Sequence, residues 1–228
     1  MMEGGEGGEG GAEGKGGDDE AVVLSAECLE VTAMATEPAF DVNTSRCSDG
    51  DQPILSAVGA RSPEAPAHED CLVLVLGLPG VDVNLQDEQY GYTALRIAAW
   101  EGAWRCVKVL LADHRIDVNL PDNEGRTPLH AAVAQGHTKC VELLLQAPGI
   151  KINKVDTDGD TPLYCAANCG ELECLKLLLQ ADGIAVNKAD KDGLTSLAFA
   201  ANVGHSKCIE ALLEDSRINV NQPNTNAT

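Results

Sequence analysis

One stretch of this chain returns in register three further times. It reads Gly125-Arg126-Thr127-Pro128-Leu129-His130, then Gly136, then Cys140-Val141-Glu142-Leu143-Leu144-Leu145. Moving 34 residues on gives Gly159-Asp160-Thr161-Pro162-Leu163, Gly170 and Cys174-Leu175-Lys176-Leu177-Leu178. A further 34 gives Gly193-Leu194-Thr195-Ser196-Leu197, Gly204 and Cys208-Ile209-Glu210-Ala211-Leu212, and 34 backwards gives Gly91-Tyr92-Thr93-Ala94-Leu95, Gly102 and Cys106. A period of this size means small units stacked in a row rather than one closed core.

The physics of one unit is legible. Thr127 and Thr161 stand where a hydroxyl can accept from orphan helix amides. Pro128 and Pro162 follow at the first helical position, where a missing N–H costs nothing. A short helix then runs to Gly136 or Gly170, the residue type that ends helices in a left-handed cap. Cys140, Val141, Leu144 and Leu145 next form the one-sided stripe of a second helix. Asn119, Asn153, Asn187 and Asn221 close the units in Val-Asn or Ile-Asn steps, where a short amide is expected to bond its own turn backbone. No unit buries its own apolar face, so each must lean on a neighbour.

These residues closely resemble the ankyrin repeat, whose signature is Thr-Pro-Leu-His-x-Ala with a helix pair and a projecting turn. The resemblance implies an all-α fold, an ankyrin-repeat solenoid of stacked helix-turn-helix units with projecting β-turns. Full units are expected at residues 88–121, 122–155, 156–189 and 190–223. Before them lie a degenerate unit at 47–87, with an inserted loop around Arg61-Ser62-Pro63-Glu64-Ala65-Pro66, and a half-unit cap at 21–46. Val73, Val75 and Leu76 alone would suggest a strand; repeat context assigns them to a helix. Residues 1–20 are nearly all Gly and Glu, bury nothing apolar, and are expected to be a disordered acidic tail; 224–228 is a short tail. Only His130 fills the family's His position. Arg96, Tyr164 and Ala198 replace it elsewhere, which puts the family's hydrogen-bond relay between units in question.

Composition narrows the partners. The formal charge is −20, a field that repels phosphate backbones and anionic lipid and so disfavours nucleic acid and membranes. The opening residues are polar and acidic, unlike a secretory signal, and the apolar run from Leu72 to Leu78 is too short for a bilayer. Cys106, Cys140, Cys174 and Cys208 recur in register. Neighbouring helices lie roughly 8–10 Å apart, beyond the usual Cα limit of about 7 Å for a bridge, so these read as small buried thiols in an intracellular, reducing setting, cytoplasmic or nuclear.

Catalytic chemistry finds no footing. Gly14-Lys15 lacks the other glycine and the hydroxyl of a phosphate loop. Asp156-Thr157-Asp158-Gly159-Asp160 resembles a calcium loop, but Thr161 holds the glycine position and Ala167 the final carboxylate. Cys165, Cys169 and Cys174 lack a fourth ligand and a Cys-x-x-Cys pair. His68, His137 and His205 follow the inter-helix turns, where imidazole serves packing and turn bonds. No Cys or Ser carries the signature of a base-activated nucleophile. No catalytic residue, cofactor or metal is therefore expected.

What remains is binding. The resemblance implies that a protein partner is gripped on the concave side, by the turn tips and the exposed ends of the first helices. Carried onto this chain, those positions are Gln89, Tyr90, Tyr92, Trp100 and Glu101; Asn123, Glu124, Arg126, Ala134 and Gln135; Thr157, Asp158, Asp160, Asn168 and Cys169; Lys191, Asp192, Leu194, Asn202 and Val203. Three of the chain's seven aromatics fall on one unit, as Tyr90, Tyr92 and Trp100, either as a binding hot spot or packed on the preceding inserted loop. Trp104 is expected between units. Glu124, Asp158, Asp160 and Asp192 make the groove acidic, which suits a partner presenting Lys or Arg around an apolar anchor. An adaptor or scaffold is the leading expectation; an inhibitor that occludes an enzyme or transcription factor, or a fragment of a larger ankyrin adaptor, is the alternative. Phe199, Val203 and Ile209 stand where a capping unit would be polar, leaving self-association through the last unit open.

Overall fold

The computed structural model describes residues 33–35, 41–43, 53–58 and 66–222. The expected acidic tail, most of the 21–46 cap, the inserted loop at 59–65, the His68 side chain and the last residues lie outside them. Ten helices are described, two to a unit: α1 (Pro53–Ser56) and α2 (Pro66–Leu76), α3 (Ala94–Glu101) and α4 (Trp104–Ala112), α5 (Pro128–Ala134) and α6 (Thr138–Leu145), α7 (Pro162–Cys169) and α8 (Leu172–Gln180), α9 (Ser196–Val203) and α10 (Ser206–Glu214). Each first helix touches the next first helix, and each second helix the next second helix. Among the described residues there is no strand, only an isolated antiparallel bridge between Ala189 and Thr195.

Helix starts follow the sequence chemistry. Thr93, Thr161 and Thr195 accept from the amides of Arg96, Tyr164 and Ala198 at 3.1–3.2 Å. Gly102 and Gly170 end α3 and α7 at φ of 72° and 76°, a left-handed conformation glycine adopts without steric cost. Gly102 is constrained twice over, because a Cβ there would meet the His137 ring of the next unit at 2.6 Å. The helix over Val73 to Leu76 is present as repeat context assigned it, and Pro66 opens it.

The core is a row of Leu, Ala and Cys. Leu95, Leu110, Leu129, Leu144, Leu163 and Leu178 are fully buried, each stabilising the stack by about 2 kcal/mol relative to exposure. Cys71, Cys106, Cys140, Cys174 and Cys208 are buried free thiols. Burial pushes Cys106 up to about 11 and Cys140 and Cys174 up to about 12, so they stay protonated, inert packing groups.

The closing asparagines correct one expectation. Their amides do not serve their own turn; they cross to the next unit. Asn43, Asn84, Asn119, Asn153 and Asn187 donate through Nδ2 to the carbonyls of Gly80, Arg115, Gly149, Gly183 and Arg217 at 2.7–2.9 Å. Each Oδ1 accepts from the backbone N–H two residues further along that next unit, at Asp82, Asp117, Lys151, Ala185 and Asn219. In three of the units a local bond is made by the residue two before: Asp41, Asp82 and Asp117 accept from the backbone N–H of Asn43, Asn84 and Asn119. Asn153 and Asn187, with Lys151 and Ala185 at that place, cross to the next unit in the same way.

Candidate functional site on the concave face

The projecting turns are built on aspartate. Asp122 Oδ1 accepts from the amides of Glu124 and Arg126, Asp156 from those of Asp158 and Asp160, and Asp190 from those of Asp192 and Leu194. The first clear unit departs from this frame. Asp87 takes the role, closing on Tyr92, so that turn holds one residue more than its successors and the expected start at residue 88 falls one position late. The extra length carries Tyr90.

Neighbouring tips join through their backbones. Asn123 N–H donates to Tyr90 O at 3.0 Å, Thr157 to Glu124 O at 2.9 Å and Lys191 to Asp158 O at 3.1 Å. Asn123 Nδ2 adds a bond to Gln89 O, and Lys191 Nζ one to Thr157 O. Gln89, Glu124, Asn123, Thr157, Asp158, Lys191 and Asp192 are thereby held side by side at the surface. Gly125 permits this approach: its φ is 78°, and a Cβ would meet the Thr157 nitrogen at 2.9 Å.

Behind the tips, residues of the first helices, and Arg126 of the turn before one, reach forward. Arg96 Nε meets Asp122 Oδ2 at 3.1 Å. Arg126 Nε meets Asp156 Oδ2 at 3.5 Å, and its Nη1 pairs with Glu124. His130 Nε2 lies 3.2 Å from Asp160 O while Nδ1 lies 3.2 Å from Thr127 N, a network that fits the Nε2–H tautomer. Burial holds His130 below the ordinary imidazole range, so it is neutral. The Tyr164 phenol is directed towards the Asp190 carboxylate, and burial together with that carboxylate raises it. The relay put in question by the loss of His is therefore present with other donors. A second row lies at the inter-helix turns, where His137 and His205 bond the carbonyls of Trp100 and Asn168 at 2.9 Å.

Tyr90 and Tyr92 stack with centroids 5.1 Å apart. The Arg96 guanidinium lies 3.6 Å from the Tyr92 centroid and 5.2 Å from that of Trp100, so the rings and the cation form one column at i, i+4, i+8. Tyr90 is 50 % and Trp100 39 % exposed. Arg96 was the residue missed; its spacing from Tyr92 and Trp100 was the available signal. Trp104 is half-buried between units, with Lys139 of the next unit 5.2 Å from its ring.

Electrostatics differ along the groove. Arg126 partly neutralises Glu124. Around Asp160, burial first and then the nearby Asp156, Asp190 and Asp158 push its carboxyl up to about 6. Glu101, Gln135, Asn168 and Asn202 are exposed at the ends of the first helices, as are Cys169 and Val203; Ala134 and Leu194 are half-buried. Among the described residues no group of three or more His, Cys, Asp or Glu could hold a metal ion, and no helix is long and apolar enough to cross a membrane.

Helix pairs, in-register rungs and aspartate-built tips define a linear solenoid that works through its surface. The family model for ankyrin repeats (3 copies) matches residues 64–156 and 149–224. The chain belongs to the ankyrin repeat family. Ankyrin repeats are generally protein–protein interaction modules, and the family is typically non-catalytic. No curated protein matches the chain.

Proposed function

We propose that the chain is a non-catalytic adaptor that holds one protein partner along its concave face. Tyr90, Tyr92 and Trp100 are the anchor, and Asp158, Asp160 and Asp192 face Lys or Arg on the partner. The observation that carries this reading is the exposed column braced by Arg96. Two large rings are left half in water yet fixed in place, so little rotamer freedom is lost when a partner covers them. Aromatic rings of this kind dominate binding energy elsewhere, while rim charges set association rate and salt dependence. The seven free described cysteines suit a reducing compartment, cytoplasm or nucleus.

The test compares proteins retained by the wild type with those retained by a Tyr90/Tyr92/Trp100 triple alanine variant. Retention of one specific protein by the wild type and its loss in the variant, at unchanged helical content, is the expected result. Equal retention by both would place the site elsewhere. Trp100→Ala alone should cost under about 1 kcal/mol of stability, as befits a surface ring.

A further inference from the structure

The groove changes character from one unit to the next. The first clear unit carries three rings, Tyr90, Tyr92 and Trp100, with Tyr90 and Trp100 exposed. One unit on, the same positions hold Glu124, Arg126 and Ala134, and the two charges close on each other at 2.6 Å. The third holds Asp158, Asp160 and Asn168, where burial and the like charges of Asp156, Asp190 and Asp158 outweigh Arg126 around Asp160. The fourth holds Asp192 and Leu194. Lys191, the cation beside Asp192 in the chain, is tied to the Thr157 carbonyl of the tip before it.

The order matters because the units advance in even steps. Backbone bonds join Asn123 to Tyr90, Thr157 to Glu124 and Lys191 to Asp158, so each tip presents its side chains at one regular interval. Packed helices are spaced by roughly 8–10 Å, and an extended chain advances about 3.3 Å per residue. About three residues of such a chain therefore span one unit. A globular partner buries its anchor at the centre of a patch, with polar groups all round it. Here the rings stand at one end of the described tips, and the two acidic units lie two and three steps away.

The geometry points to an extended segment of the partner, laid along this row, as what the groove reads. It places a large apolar side chain on the Tyr90–Trp100 column, an uncharged stretch across Arg126, and Lys or Arg about six and about nine residues from the anchor. The first positive head meets Asp158 and Asp160. The second meets Asp192, with its apolar stem along Leu194. A cation about three residues from the anchor would face Arg126 and is selected against. The inference rests on the proposed partner site and adds the class of ligand and its register.

In the experiment, random peptides of about 14 residues, long enough for four units, are displayed on phage and selected on the full chain. The pH is about 7.5, above the interval in which Asp160 takes up its proton. The enriched sequences are expected to hold an aromatic or large aliphatic residue with Lys or Arg about six and about nine positions away, and no cation at about three. Asp158→Lys should abolish the preference at the nearer position and spare the farther one; Asp192→Lys should do the reverse. Both side chains are exposed at tips, so the variants keep the fold. Replacing the nearer Lys of a selected peptide by Ala should weaken binding about two- to fivefold. Enriched peptides that lack the spacing but are lost from the Tyr90/Tyr92/Trp100 variant would overturn the segment's register and leave the site in place. Peptides that bind that variant as they bind the wild type would overturn the anchor and the partner site together. No enrichment at all, with a captured protein still lost from the variant, would make a folded surface the ligand and defeat the inference alone.

Discussion

Two polar seams run the length of the stack, and they are built differently. The outer seam uses one residue type throughout: Asn43, Asn84, Asn119, Asn153 and Asn187 each donate to one backbone group and accept from another. The inner seam uses a different residue in nearly every unit, arginine, histidine or tyrosine. The outer gap is flanked by backbone on both sides at a fixed offset. Only a short amide, with donor and acceptor on one carbon, fits it. The inner gap presents an acceptor alone, so any side chain that carries a proton across will serve. Sequence variety is therefore tolerated where the bond is one-way, and excluded where it is two-way.

That contrast can be broken by substitution. The largest effect is expected for Arg96→Ala, which leaves the buried Asp122 carboxylate short of its cation. It should cost about 3 kcal/mol or more, read from the urea midpoint, and loosen the ring column as well. Arg96→His, importing the next unit's residue, should recover part of the loss. Asn153→Ala removes two inter-unit bonds at once and should cost about 2 kcal/mol; Asn153→Gln, with a longer stem, should not rescue it. Tyr164→Phe removes the phenol beside Asp190 and should cost about 1 kcal/mol or less.

The smallest effects are electrostatic and appear as pH windows. The Asp160 carboxyl is raised to about 6 in the folded chain, by burial first and its aspartate neighbours second. The folded state therefore binds more protons than the unfolded one between about pH 4 and 6, and stability falls as pH rises through that interval. Asp160→Asn should gain on the wild type across the same interval and hold a constant advantage above it. Asp113 is the opposite case. The hydrogen bond from Arg115 lowers it to about 2, so its contribution is present above about pH 4 and lost as pH falls towards 2. Asp113→Asn should differ little from the wild type at pH 2 and more at neutral pH. Denaturation midpoints measured from pH 2 to 8 separate the two.

The sequence made the units legible because helix caps, glycine stops and the Leu-Leu stripe are local signals at a fixed spacing. Thr161, Gly170 and Leu178 each announce themselves within a few residues. What crossed between units was less visible. Asn153 points into its own turn on sequence grounds because its partners, Gly183 and Ala185, lie some thirty residues away and present only backbone. Arg96 and Tyr164 look like losses of the relay because a motif names one residue where the physics asks only for a donor. The extra residue in the first tip was hidden because Glu88 sits in register with Asp122, and only the observed closure of Asp87 on Tyr92 reveals the shift. The surface positions of the proposed site follow from the repeat alone, but the bracing of two rings by Arg96 depends on the side-chain packing of the folded unit.

Hydrogen exchange on the chain bound to its captured partner tests the central claim most directly. The account predicts added protection in the tips and first helices, strongest around Tyr90 to Trp100, with α4, α6 and α8 exchanging as they do in the free chain. Protection concentrated on those second helices, with the Tyr90 tip unchanged, would contradict it.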